Sequence, residues 1–401
     1  MGVAPWGHTM KTLWQRKKWI RFATLGVSLG AALSSLGLAP FESLISRTTA
    51  ALIPQSQSST FSAFQARNWG LANAQAMNAW KIESGSRNIV VAVIDTGVDF
   101  SHEALSPNQW RDPAYPNQMV FGWNFVTNRP NPIDDHGHGT HVAGILGAAT
   151  QPSSGVSGVA PRVSIMAVKY YSENNSGAVN LANTVKAINY AVDHGARIIN
   201  YSGGGPEFSE EEYLAIKRAE ARGVLFVAAA GNERQDTDKV ENYYYPSAYR
   251  LSNIISVAAT DQDNRLLSSS NWGKKKVDVA APGESIYSTL PGGRYGTMTG
   301  TSQATAFVSG LAALLLSKNP KLTPEELKAL IMSSVDRIPA LENRVATGGR
   351  INAFAALRSL EQGAIARNLE ERGAPSFLSG PLSRSPVSLI PSERPAARLA
   401  N

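Results

Sequence analysis

The sequence predicts an α/β fold, a mostly parallel β-sheet flanked by helices. Three observations predict it. Short, nearly continuous Val/Ile/Ala runs recur along the chain, stretches of helical pattern separate them, and the runs lack the polar alternation of a half-solvated sheet. Strands are expected over residues 89–94, 163–168, 197–201, 224–229, 254–259 and 277–279. Helices are expected over 178–194, 210–222 and 324–335. The last of these has Thr323 as cap, Pro324 at its first position and Glu325 and Glu326 in its first turn. A small-residue, apolar helix is also expected to follow Ser302, where Phe-Val-Ser-Gly leads into Leu-Ala-Ala-Leu-Leu-Leu.

The 401 residues are 43% hydrophobic and 17% charged, ordinary for a protein with a sizeable core. The net charge of +7 is not spread over a surface. Lys11, Arg16, Lys17, Lys18 and Arg21 carry +5 of it with no acidic residue among them. The part from Leu360 onward, with five arginines and four glutamates, adds +1, which leaves +1 for the body. No basic face is implied, and no nucleic-acid partner. Cysteine is absent, which excludes disulfides, thiolate metal sites and a cysteine nucleophile.

The basic stretch precedes an uncharged run of 18 residues, Phe22 to Ala39, rich in Leu, Val, Ala, Gly and Ser. Residues 1–39 are therefore expected to be a signal peptide, with a membrane anchor over 22–39 as the alternative. Export, secreted or periplasmic, follows from the first reading. Residues 40–60 are rich in Ser, Thr, Gln and Pro and read as a linker or short pro-segment. The globular domain is expected over 61–360. Residues 361–401, with a Pro/Ser/Arg-rich stretch at 373–395, are expected to be a mostly disordered tail.

Four segments carry candidate chemistry. The run from Asn88 ends in Asp95-Thr-Gly-Val-Asp, a buried strand closing on a carboxylate, where open parallel sheets gather their sites. Asp95 there either orients a histidine or simply forms a turn before Gly97. In Asp134-Asp-His-Gly-His-Gly-Thr-His, the imidazoles of His136, His138 and His141 fit two readings. One is a metal site of a binuclear hydrolase; the other is a single catalytic imidazole at His138. The third segment, Gly296-Thr-Met-Thr-Gly-Thr-Ser302, puts a hydroxyl at a helix N-terminus, which favours developing negative charge but also suits an ordinary cap. The fourth, Val224 to Glu233, is a strand ending in Gly231-Asn232, whose amide can either donate to an oxyanion or form a turn.

Together and in this order, the four segments resemble the signature blocks of the subtilisin-like serine proteases. The likeness spans about residues 63–358 and includes Gly158-Val-Ala-Pro, Asn200-Tyr-Ser-Gly-Gly-Gly, Tyr245-Pro246 and Ala280-Ala-Pro-Gly. It implies the family's three-layer fold and a serine endopeptidase. Ser302 would be the nucleophile, His138 the base, Asp95 its orienting carboxylate, and Asn232 with the Ser302 N–H the oxyanion hole. Ser202, Gly203 and Gly204 would pair with an extended polypeptide substrate, with Ser176 and Gly177 on the opposite edge. Ala229, Ala230 and Gly231 would line the primary specificity pocket. A monomer is expected. The other readings are a metal hydrolase and a binding protein on a catalytically silent fold.

The chain departs from the family pattern in places. After Ser302 it reads Gln-Ala-Thr-Ala-Phe, and Tyr243 and Tyr244 stand where small residues often floor the specificity pocket. The family's strong calcium site is expected to be absent: its carboxylate falls near Ala104, with Glu103 one position off, and the loop 148–156 has no acidic residue. No cofactor is required, although weak structural calcium elsewhere stays open. About 20 residues lie between Ala39 and the domain, so folding without a long prodomain is expected.

Overall fold

In the computed structural model, residues 64–151 and 155–371 are described. The expected export segment, the linker and most of the expected tail lie outside the described residues. Two short helices, α1 (Trp69–Asn73) and α2 (Ala76–Ala79), precede β1 (Val90–Asp95). Then come β2 (Gly122–Asn124), β3 (Arg129–Pro130), α3 (His138–Gly147), β4 (Ser164–Lys169), α4 (Gly177–Asp193) and β5 (Ile198–Tyr201). Next are α5 (Glu210–Ala221), β6 (Leu225–Ala229), β7 (Ile254–Thr260), β8 (Val279–Pro282) and the hairpin of β9 (Ile286–Leu290) and β10 (Arg294–Met298). The described part closes with α6 (Thr301–Lys318), α7 (Pro324–Ser333), β11 (Asp336–Arg337), β12 (Gly349–Arg350) and α8 (Ala353–Glu371).

Ten strands form one sheet in the order β11-β12-β8-β7-β6-β5-β1-β4-β2-β3, parallel except for its two edge strands. From β1 the chain passes to β2, β3 and β4 on one side and later to β5 on the other. The strand order therefore reverses at β1, and its carboxyl end opens on the crevice such a reversal leaves.

Strand periodicity decides which side chains face that crevice. Val91 and Val93 pack in the core that includes α3 and α6, whereas Ala92 and Ile94 pack in the core that includes α4 and α5. Side chains alternate along a strand, so Asp95 falls on the face of α3 and α6. By the same alternation Ser202 follows Ile198 and Asn200, and Lys169 follows Ile165 and Ala167, onto that face. The charged and hydroxyl residues that close these apolar strands thus converge under two helices.

The six expected strands and the three helices expected over 178–194, 210–222 and 324–335 form, mostly within two residues of their expected bounds, and the apolar helix expected after Ser302 forms as α6. The strand expected at 277–279 is displaced to Val279–Pro282: Asp278 turns its carboxylate onto Ser256 N, and pairing with β7 begins at Val279. Helix α8 runs to Glu371, eleven residues past the expected boundary after Leu360. The fading apolar pattern there marks departure from the core, since Leu360 is buried and Gln362 exposed, and does not mark the end of the helix. The β9–β10 hairpin had no expectation attached to it.

Candidate active site

Asp95 ends β1 and is buried, with its Oδ1 accepting from Thr96 N at 2.8 Å and facing His138 Nδ1 at 2.8 Å. His138 opens α3 and keeps about a quarter of its side chain exposed. A Cβ on Gly139 would stand 2.1 Å from Gly97 O and 3.1 Å from Asp95 Cβ, so only glycine lets α3 approach the end of β1 this closely. Burial works against the charged imidazole. The charge and hydrogen bond of Asp95, with Asp134 further off, outweigh it and hold His138 above its ordinary value of 6.5.

Asp134 is the main positioning residue that sequence reasoning missed. Its Oδ1 accepts from Thr96 Oγ1 (2.9 Å), His136 N (3.0 Å) and Gly137 N (2.8 Å). Its Oδ2 accepts from Thr140 N (2.9 Å) and Thr140 Oγ1 (2.6 Å). One buried carboxylate thus ties the turn after Asp95 to the entrance of α3 and fixes the direction of His138. Lys169, opposite Asp95 in the sheet, adds a second tie: its buried Nζ donates to Thr96 O at 2.8 Å and pairs with Asp135 at 2.5 Å. The adjacent acids before His136 were the available signal, but their partners are remote in sequence.

The three imidazoles diverge. His136 pairs with Glu173 at 3.3 Å, while His138 faces Asp95. His141 is fully buried under the hairpin, its Nε2 3.3 Å from Gly296 O, and burial pushes it down to about 4, so it is neutral. Among the described residues, no three His, Cys, Asp or Glu side chains gather in a metal-binding arrangement.

Ser302 is the second residue of α6, of whose eighteen residues sixteen are buried. Its hydroxyl donates to Ser202 O at 3.1 Å, and Ser202 Oγ donates to Ser302 O at 3.3 Å. Because Ile94 pairs with Tyr201, Ser202 and Asp95 continue adjacent strands, roughly 4.8 Å apart. Nucleophile candidate and carboxylate therefore share one face at neighbouring strand ends. Asn232 follows β6 with its amide exposed; its Oδ1 accepts from Thr301 N at 2.9 Å, which leaves the Nδ2 hydrogens for another acceptor.

Of the residues expected to contact substrate, Ser202–Gly204 and Ala229–Gly231 extend the neighbouring strands β5 and β6 around Ser302. Ser176 is the cap of α4, its Oγ accepting from Val179 N at 3.3 Å, and Gly177 begins the helix. Ala104 is fully buried, and neighbouring Glu103 accepts from Tyr295 OH at 3.0 Å.

Comparison with known proteins identifies the family and the fold. The Subtilase family profile matches residues 86–361. Thermitase of Thermoactinomyces vulgaris is 38% identical over 295 residues, covering 74% of this chain and 97% of thermitase. The major intracellular serine protease of Bacillus subtilis (strain 168) is 40% identical over 253 residues, covering 62% of this chain and 74% of that protein. The crystal structure of a lanthipeptide protease shares the fold, with a TM-score of 0.63 at 23% identity over 74% of this chain and 96% of that one.

Proposed function

The chain belongs to the subtilase family of serine endopeptidases, and from that membership we propose that Ser302, His138 and Asp95 are its catalytic triad and that Asn232 completes an oxyanion hole. The observation that carries this reading is the buried Asp95–His138 pair at 2.8 Å, formed between residues 43 apart in sequence. It lies on the sheet face where α6 presents Ser302.

The chemistry follows from the groups present. Rotation about the Ser302 Cα–Cβ bond turns the hydroxyl from Ser202 O toward His138 Nε2. Oγ attacks the peptide carbonyl carbon as Nε2 takes its proton, and Asp95 stabilises the imidazolium. The new alkoxide oxygen is met by Asn232 Nδ2 and the Ser302 N–H at the amino end of α6. The C–N bond then breaks, Nε2 returns the proton to the leaving amine, and water, deprotonated by the same nitrogen, releases the acid and restores Ser302. These side chains supply every proton transfer, so the scheme requires no cofactor. Extended polypeptides are the substrate class, paired with the backbone of Ser202–Gly204.

The test is covalent. A fluorophosphonate should label the protein and stop its cleavage of an unfolded protein, while a chelator should leave both unaffected. Cleavage that survives the phosphonate and stops with the chelator would return the metal-hydrolase reading. Asn232→Ala should lower kcat by about 10²–10³-fold, the size measured when a subtilisin loses its oxyanion amide, with little change in KM. A rise in KM alone would place Asn232 in ground-state binding.

Residues 1–39 are read as an export segment on the strength of their charge and apolar pattern. Among the described residues no helix is long and apolar enough to cross a membrane. Sequencing the amino terminus of the mature protein should find it between residues 40 and 60. A mature protein that retains the run 22–39 would indicate an anchor.

A further inference from the structure

Ser302 sits over the carboxyl ends of two neighbouring strands. Its hydroxyl reaches Ser202 beyond β5, and the adjacent Thr301 Oγ1 accepts from Gly231 N beyond β6 at 3.3 Å. A peptide held there for attack sends the side chain before its scissile bond between segments 202–204 and 229–231. The depth of that gap sets which side chain fits.

Tyr244 occupies it. Segment 243–245 runs antiparallel beside Gly205, with Tyr245 N donating to Gly205 O at 2.7 Å and Gly205 N to Tyr245 O at 2.9 Å. In extended chain alternate side chains share a side. Tyr243 and Tyr245 face one way, their rings 6.1 Å apart, and Tyr245 packs on Phe208 and Tyr249. Tyr244 is thereby sent the other way. A Cβ on Gly204 would lie 2.4 Å from its Cε1, and a Cβ on Gly231 would lie 3.0 Å from its Cδ2. The ring therefore touches the bare backbone of both walls. Glu233 Oε2, held by Asn271 Nδ2 at 2.6 Å, borders the same point on Gly231. Burial first, and then the Glu233 charge, push the Tyr244 phenol above its usual value, so the plug is neutral.

We propose that Tyr244 fills the primary specificity pocket and restricts cleavage to polypeptides with glycine or alanine before the scissile bond. The proposal rests on the endopeptidase reading above. A larger side chain would need space the ring holds between two glycine walls, and overfilling a packed site is unfavourable. A methyl group needs no depth beyond its own Cβ.

The experiment compares kcat/KM for peptide anilides that differ only in the residue before the scissile bond: Ala, Leu or Phe. The native chain should prefer Ala to Phe by about 10²-fold or more, as expected when several carbons cannot be seated. Tyr244→Ala should reverse the ratio by raising the Phe value, and Tyr244→Phe, which keeps the ring, should preserve it. Native protein that labels with fluorophosphonate yet cleaves after Phe as well as after Ala overturns the plug and leaves the endopeptidase reading standing. Native protein that neither labels nor cleaves removes that reading, and the plug with it. If Tyr244→Ala fails to label, the native profile and the Tyr244→Phe ratio decide alone.

Discussion

Ser302→Ala should reduce peptide hydrolysis by about 10⁶-fold in kcat, the loss a subtilisin suffers when its own triad serine is removed. The fold should survive. Ser302 is one small side chain on a long buried helix, and the substitution deletes only its hydrogen bond to Ser202 O. One such bond is worth about 1 kcal/mol net. Asn232 and the amino end of α6 remain, so the residual rate should still exceed that of water by about 10³–10⁴-fold. The measurement pairs kcat on an unfolded protein substrate with thermal unfolding. A folded variant that keeps a tenth of native activity would remove Ser302 from the mechanism.

Much of this site was legible in the sequence because its carriers are buried on both faces. A run such as residues 90–95 has no polar alternation, so its length and its terminal Asp95 stand out, and period two then assigns the facing side. Residues that work through partners far along the chain were not legible. Asp134 has no role assigned by its sequence neighbours until Thr96 and Thr140 are brought to it. Its neighbours His136 and His141 fit either a metal site or a structural role until the fold sends one toward Glu173 and the other beneath the hairpin. The hairpin itself escaped because β10, Arg-Tyr-Gly-Thr-Met, has no fully buried residue and no apolar run to mark it. Tyr244 was visible as a large residue in a place where small ones are usual. Its consequence required the alternation fixed by the Gly205–Tyr245 pair.

Asp95→Asn should cost about 10⁴-fold in kcat, the size found for the same change in an unrelated serine protease. The substitution conserves shape. A side-chain carbonyl can still accept from Thr96 N, but the charge that stabilises the imidazolium is gone. Asp95 is the leading influence that raises His138 against burial, so removing its charge should let the imidazole titrate lower. The ascending limb of kcat/KM against pH should lie above 6.5 in the native enzyme and move down in the variant, because the base must be neutral to accept a proton. Stability should follow with a definite sign. A histidine whose folded pKa exceeds its unfolded value of 6.5 adds stability that is complete below 6.5 and is lost as pH rises through the folded value. The Asn variant should therefore be weakened most in mildly acidic solution and least above the native pKa. Ser302→Ala separates the two roles: it should remove the rate while leaving the His138 titration, followed by NMR, near its native position. Should the Asn variant lose rate with no movement of that titration, Asp95 would act by position alone, without electrostatic support of the imidazolium.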